Sequence, residues 1–199
     1  MYDLVLKNCN VVNENVVSEV DIGINNERIE KIAGNISSEA RNEIDLQGKL
    51  LIPGLIDDQV HFREPGLTHK GEIATESKAA IAGGVTSYFE MPNVNPNTST
   101  IENLEKKFDI AANKSYANYS FYLGATNDNI EEIKKSDPNA SCGLKVFMGA
   151  STGDLLVNKY ESLEKIFEHC PTNIVTHCED PKRLIENENI FQEKYGDQL

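Results

Sequence analysis

PGLIDDQVHFREPG, residues 53–66, decides how this chain is read. An apolar start, Leu55-Ile56, runs into a polar residue at every second position: Asp57, Gln59, His61 and Arg63. Alternate side chains of a strand share a face, so these four groups face the same way. Pro65-Gly66 then stops the strand and turns the chain. A solvated edge strand would carry such a face. So would a strand whose end forms a site, because a core has no use for four unpaired polar groups.

Downstream, the chain alternates strand and helix. Strands are expected at 55–61, 85–90, 118–123, 144–147 and 173–177, and helices at 71–82, 98–114, 128–135, 159–169 and 180–195. Gly83-Gly84 provides a C-terminal stop for the first helix. Thr98-Ser99-Thr100 offers N-caps for the second. Repeated βα units imply a parallel sheet covered by helices, either an open doubly wound sheet or an unfinished (β/α)8 barrel. The glycine-rich phosphate fingerprint of a dinucleotide-binding fold is missing after the first strand. Polar residues gather instead at the C-terminal ends of strands, where barrel enzymes place their chemistry. A complete barrel takes about 250 residues, more than the whole chain of 199, so the barrel reading makes the chain incomplete.

Upstream, residues 1–52 read as all-β. Residues 2–6 and 20–24 alternate, Val11-Val12 and Val16-Val17 are β-branched, and Asn25-Asn26 suggests a tight turn before a strand at 28–32. Short strands follow at 43–46 and 49–52. The expected organisation is a β-rich segment, 1–52, followed by the first part of a barrel, 53–199.

Composition narrows the partners. A net charge of −13 with no basic run argues against nucleic acid and anionic membrane surfaces. No stretch reaches the roughly 18 apolar residues of a membrane span, and the first residues lack the pattern of a secretory signal. Cys9, Cys142, Cys170 and Cys178 show no CxxC spacing, so they read as reduced thiols of a cytoplasmic protein. Cys178, next to a histidine, reads as a small core residue rather than a nucleophile.

The 53–66 stretch resembles the signature of dihydroorotases in the amidohydrolase superfamily, normally Asp-x-His-x-His followed by x-Arg. AGGVTSYFEMPNVNP (82–96), GLKVFMGAS (143–151) and VTHCED (175–180) are similar to later segments of that family, in order. The opening that ends in GKLLIPGLID is similar to the superfamily's start, part of a composite β-sandwich. The resemblance implies reversible hydrolysis and cyclisation between dihydroorotate and N-carbamoyl-aspartate, a step of pyrimidine synthesis. It also implies one or two zinc ions at the barrel mouth. His61 would be a first-strand ligand, Lys145 a lysine carboxylated to bridge metals, and His177 the fifth-strand ligand; Asp154 is the carboxylate in reserve if Lys145 is unmodified. Arg63 and Asn93 resemble the pair that holds the substrate carboxylate, for which arginine's planar fork is suited. Gln59 stands where the family has the first histidine of His-x-His, a poorer ligand at a metal position. The next metal histidine and the general acid–base aspartate of the family fall beyond Leu199, so no catalytic acid or base is assigned.

His69 and His169 match nothing in that pattern, and His169 is explained by a helix C-terminus. The resemblance further implies a homo-oligomer at full length and association with aspartate carbamoyltransferase. Competing functions are a hydantoinase- or allantoinase-like cyclic amidase, a non-catalytic homologue acting as a structural partner, and a fragment without its own function. Hydantoin-cleaving relatives have no substrate carboxylate to hold, so Arg63 with Asn93 points away from them.

Overall fold

The computed structural model describes residues 1–149 and 153–196. Its chain divides into two compact units, Met1–Gly54 and Leu55–Leu199.

The first unit is built around β1 (Tyr2–Asn13), which pairs antiparallel with β2 (Val16–Asn25) and parallel with both β4 (Ala40–Asp45) and β5 (Leu50–Leu51). β3 (Arg28–Ala33) adds to the far side of β2. Both hairpins turn through two residues with positive φ, Glu14-Asn15 and Asn26-Glu27. That is the turn whose twist matches the flanking strands. The two segments that read as separate, 2–6 and 11–12, are one strand, interrupted between Leu6 and Cys9 by an irregularity at which Asn8 takes φ 52°. A bulge spoils the alternation that sequence reading depends on.

Asp21 ties this bulge down. The buried Asp21 carboxylate accepts from Lys7 Nζ at 2.7 Å, from the Asn8 N–H at 2.9 Å and from the Ile36 N–H at 2.9 Å, the last of these fully buried and the other two partly so. Burial pushes the carboxyl up, but the Lys7 hydrogen bond and the two backbone N–H groups outweigh it and hold the net value down. A carboxyl lowered in the fold stabilises it above the unfolded value of about 3.9, and that contribution disappears as pH falls through the folded value. Asp21→Asn is therefore expected to cost about 1.5–3 kcal/mol at pH 7 in urea unfolding, with the difference from wild type closing below about pH 4.

The second unit carries five parallel strands: β6 (Leu55–Val60), β7 (Val85–Glu90), β8 (Asn118–Gly124), β9 (Gly143–Phe147) and β10 (Ile174–His177). Their spatial order is β10-β9-β8-β7-β6. Every strand lies beside its sequence neighbour and the order never reverses, as it must at the switch point of a doubly wound sheet. The fold is thus the β/α succession of a barrel, preceded by a small β unit. The helices α1 (Ile73–Ala82), α2 (Ile101–Lys114), α3 (Ile130–Ile133), α4 (Tyr160–His169) and α5 (Pro181–Tyr195) fall within a few residues of their expected positions. Right-handed crossovers put successive helices on one face.

Two apolar clusters form that helix-side core. Phe62, Ile73, Tyr88, Leu104 and Phe121 join β6–β8 to α1 and α2, while Leu123, Ile133, Leu144, Val146 and Ile166 join β8 and β9 to α3 and α4. The helix starts have identifiable causes. Thr100 accepts from the Asn103 N–H at 3.1 Å; Asp180 accepts from the N–H groups of Lys182 and Arg183, with Pro181 at the first turn. α1 is capped from outside, by Glu64 accepting from the Ile73 N–H at 2.9 Å. Among the described residues no helix is long and apolar enough to cross a membrane.

Candidate active site

The site is built on two loops at the C-terminal ends of β6 and β7. Phe62 is buried against Tyr88, ring centroids 4.5 Å apart. With Phe62 turned into the helix-side core, alternation carries His61 away from it. At Arg63 the alternation ends: its backbone takes φ 70°, a left-handed conformation uncommon for a residue with a side chain. Its N–H donates to Glu90 Oε1 at 2.9 Å. The Arg63 guanidinium has no ion-pair partner among the described residues, which leaves its fork for an anion.

The β7 loop is stitched to the β6 loop at several points. The Met91 N–H donates to Val60 O and the Asn95 N–H to Pro65 O, both at 3.0 Å. Gly66, at φ 80°, lies so close that a Cβ there would fall 1.9 Å from Asn95 O. Between these stitches Asn93 Oδ1 sits 2.9 Å from His61 Nδ1. Burial lowers the His61 pKa and the charges of Arg63, Lys145 and Lys107 lower it further, against the Asn93 hydrogen bond that raises it. The fold therefore brings His61 and Asn93 into hydrogen-bond contact, with Arg63 near enough for its charge to act on His61.

Beneath the loops lies an ion pair that sequence reading missed. Lys107 Nζ is 3.1 Å from Glu90 Oε2 and donates to Met91 O at 3.0 Å, with both side chains fully buried. It also lies 5.1 Å from the centroid of the Phe121 ring. One signal was present: Leu104, Lys107 and Ala111 share the helical spacing of an inward face, and a lysine on that stripe needs a buried partner.

Lys145 makes the informative contrast. It is buried in β9, where every residue is buried, and its Nζ lies 5.1 Å from the Phe147 ring centroid. No carboxylate pairs with it among the described residues, and burial alone lowers its pKa. A desolvated amine without an anionic partner is displaced toward the neutral, nucleophilic form. His177 ends β10 opposite Phe147, with ring centroids 6.2 Å apart, and its Nε2 lies 3.2 Å from Glu179 Oε2.

The remaining candidates are less engaged. Gln59 is exposed; its N–H donates to Asp57 Oδ1 at 3.1 Å and its side chain makes no hydrogen bond among the described residues. Asp154 is exposed in a short 3-10 turn, in a polar cleft with Ser99, Thr126, Asn127 and Asn158 and none of the proposed ligands. Ala150 and Ser151, the end of the GLKVFMGAS stretch, lie outside the described residues. Cys178 is exposed rather than a core residue, since it stands past the end of β10; its Sγ is 3.8 Å from Met148 Sδ. His169 ends α4, 3.8 Å from Glu168.

The described residues contain no group of three His, Cys, Asp or Glu placed to hold a metal ion. Their donor chemistry still fits one in a specific way. Among the described residues His61 has one ring nitrogen engaged and the other without a protein partner, His177 is a second imidazole whose Nε2 faces Glu179, and Lys145 is a buried amine of the kind a carbamate forms on.

This β/α succession, with polar residues gathered beyond the ends of its first strands, is the frame of a barrel enzyme, and the comparisons with known proteins give its family. Residues 48–141 match the family described as Dihydro-orotase-like. An allantoinase of Desulfitobacterium hafniense is 39% identical over 144 residues, covering 72% of this chain and 31% of that protein. A dihydroorotase of Methanosphaera stadtmanae is 35% identical over 94% of this chain and 42% of its own length. The solved L-hydantoinase (dihydropyrimidinase) from Arthrobacter aurescens superposes with a TM-score of 0.90 at 28% identity, covering 98% of this chain and 45% of that one. This chain belongs to the dihydroorotase-like family of cyclic amidohydrolases. It spans less than half the length of these relatives, and their names divide among three substrates.

Proposed function

We propose that the chain carries the first-strand to fifth-strand part of the active site of a zinc-dependent dihydroorotase, interconverting dihydroorotate and N-carbamoyl-aspartate. In this reading residues 1–52 belong to a composite β-sandwich and 53–199 to the barrel. His61, His177 and a carboxylated Lys145 hold metal, and Gln59 contributes weakly. A bound divalent ion supplies Lewis-acid polarisation of the ring amide and makes a water-derived nucleophile accessible near neutral pH. Arg63 and Asn93 bind and orient the substrate carboxylate. Homo-oligomerisation and association with aspartate carbamoyltransferase belong to the same reading, as does a cytoplasmic location.

The observation that carries the choice of substrate is the Arg63 guanidinium, without an ion-pair partner among the described residues and held on a backbone-anchored loop beside His61. Hydantoin and allantoin offer it no carboxylate. The test is calorimetric titration of the chain with zinc and then with N-carbamoyl-aspartate. His61→Ala and His177→Ala should each lower zinc uptake. Arg63→Ala should weaken N-carbamoyl-aspartate binding at least about tenfold, the effect of losing a charge-assisted hydrogen bond of about 1.5–3 kcal/mol. Full zinc content in both histidine variants would refute the metal assignment. Binding of hydantoin in preference to N-carbamoyl-aspartate, indifferent to Arg63→Ala, would favour the second reading: a cyclic amidase of the allantoinase or hydantoinase type, supported by the 39% identity to an allantoinase.

A further inference from the structure

Asn93 has a use for its amide oxygen that does not involve substrate. Its Oδ1 is 2.9 Å from His61 Nδ1, and an amide oxygen can only accept, so that ring nitrogen must carry the proton. The contact is not an accident of two loose side chains. The Asn93 backbone is bracketed by the stitches at Met91 and Asn95, and Met91 and Val94 on either side are buried. Met91 O is gripped in turn by the buried Lys107. On the His61 side, Phe62 is locked in the core and the Arg63 N–H is held by Glu90. Both partners of this solvent-exposed hydrogen bond therefore hang from backbone that is tied down on either side.

We propose that Asn93 is a positioning residue for His61: it fixes the imidazole as the Nδ1–H tautomer, leaving the Nε2 lone pair as the only one available to a divalent cation. An unconstrained neutral histidine in water prefers the opposite tautomer, with the proton on Nε2, so Asn93 reverses the intrinsic preference. Ligating histidines depend on such a partner at the other ring nitrogen, and its loss typically lowers metal affinity 10–100-fold. Once Oδ1 is committed to His61, only the amide NH2 of Asn93 remains to meet a substrate carboxylate. The residue thus links metal donor and substrate contact. The metal consequence rests on the function proposed above, whereas the tautomer does not.

The experiment is long-range 1H–15N correlation of the histidine-labelled chain at pH 8, where neutral imidazole predominates. His61 should show a protonated Nδ1 and a bare Nε2 in the wild type. Asn93→Ala should return it to the Nε2–H form, and Asn93→Asp should retain Nδ1–H, because a carboxylate oxygen accepts the same proton. Zinc titration should then show affinity falling 10–100-fold in Asn93→Ala and staying near wild type in Asn93→Asp. N-carbamoyl-aspartate binding should instead fall in Asn93→Asp, where two carboxylates meet. A wild-type His61 protonated at Nε2 overturns the inference, as does an Asn93→Ala chain with unchanged tautomer. A protonated Nδ1 in a chain that takes up no zinc supports the tautomer assignment and counts against the metal reading instead.

Discussion

Lys107→Met is expected to destabilise the chain by about 3–5 kcal/mol, the cost of leaving one member of a buried ion pair without the other. Glu90 would keep the Arg63 N–H but lose the ammonium 3.1 Å away, inside a fully buried site. Glu90→Gln, which leaves the Lys107 ammonium unpaired, should cost a similar amount. The double variant should lie within about 1 kcal/mol of wild type, since replacing both charges by groups of similar shape is often close to neutral. Urea unfolding of the four proteins gives the coupling directly. Additive single and double effects would mean that the pair contributes nothing as a pair.

The pH dependence has a definite sign. Burial pushes the Glu90 carboxyl up, and the Lys107 charge partly offsets it. Without Lys107 the folded value rises further above the unfolded one. An acid raised in the fold favours folding when protonated, so the Lys107→Met penalty should shrink as pH falls toward the unfolded glutamate value of about 4.3. A penalty that grew on acidification would contradict the role assigned to Glu90.

Gly66→Ala is the second large effect, expected at about 2–5 kcal/mol. Left-handed backbone costs an L-residue about 1–2 kcal/mol, and Gly66 has φ 80°. The added Cβ would also fall 1.9 Å from a backbone oxygen of Asn95, and backbone cannot swing aside as a flexible side chain would. Overpacking of this kind adds about 1–3 kcal/mol. Gly84→Ala is the internal control: φ is 89°, and nothing lies within 4 Å of its Cβ position. It should show the conformational cost of about 1–2 kcal/mol alone. The two variants also separate in the site, because only Gly66→Ala forces the β6 and β7 loops apart and should disturb the His61–Asn93 hydrogen bond. Equal destabilisation by both would remove the close approach from the account.

Much of the barrel unit was legible because its signals are local. Gly83-Gly84 ends α1, Asp180-Pro181 starts α5, and β9 is a short run that is apolar except for Lys145, each readable from a handful of neighbours. The first unit was harder. Asn8 breaks the alternation within β1, and the Glu14-Asn15 turn lacks the glycine that usually marks a two-residue hairpin. β4 and β5 were readable as strands, but their parallel pairing with β1 depends on residues some forty positions apart, which no local pattern encodes.

The sequence by itself determined the succession of strands and helices, since periodicity, capping and motif spacing act within a few residues, and it supplied the residues at strand ends on which the proposed site rests. Only the tertiary structure decided that the strands lie in sequence order, which excludes the doubly wound alternative, because hydrogen-bond partners between strands are chosen by chain crossover and not by composition. It also separated two lysines that look alike in the sequence. Lys107 is paired with Glu90, and Lys145 is also buried but has no carboxylate partner among the described residues. Burial makes both charges costly, and which of them is compensated depends on what the fold packs alongside each.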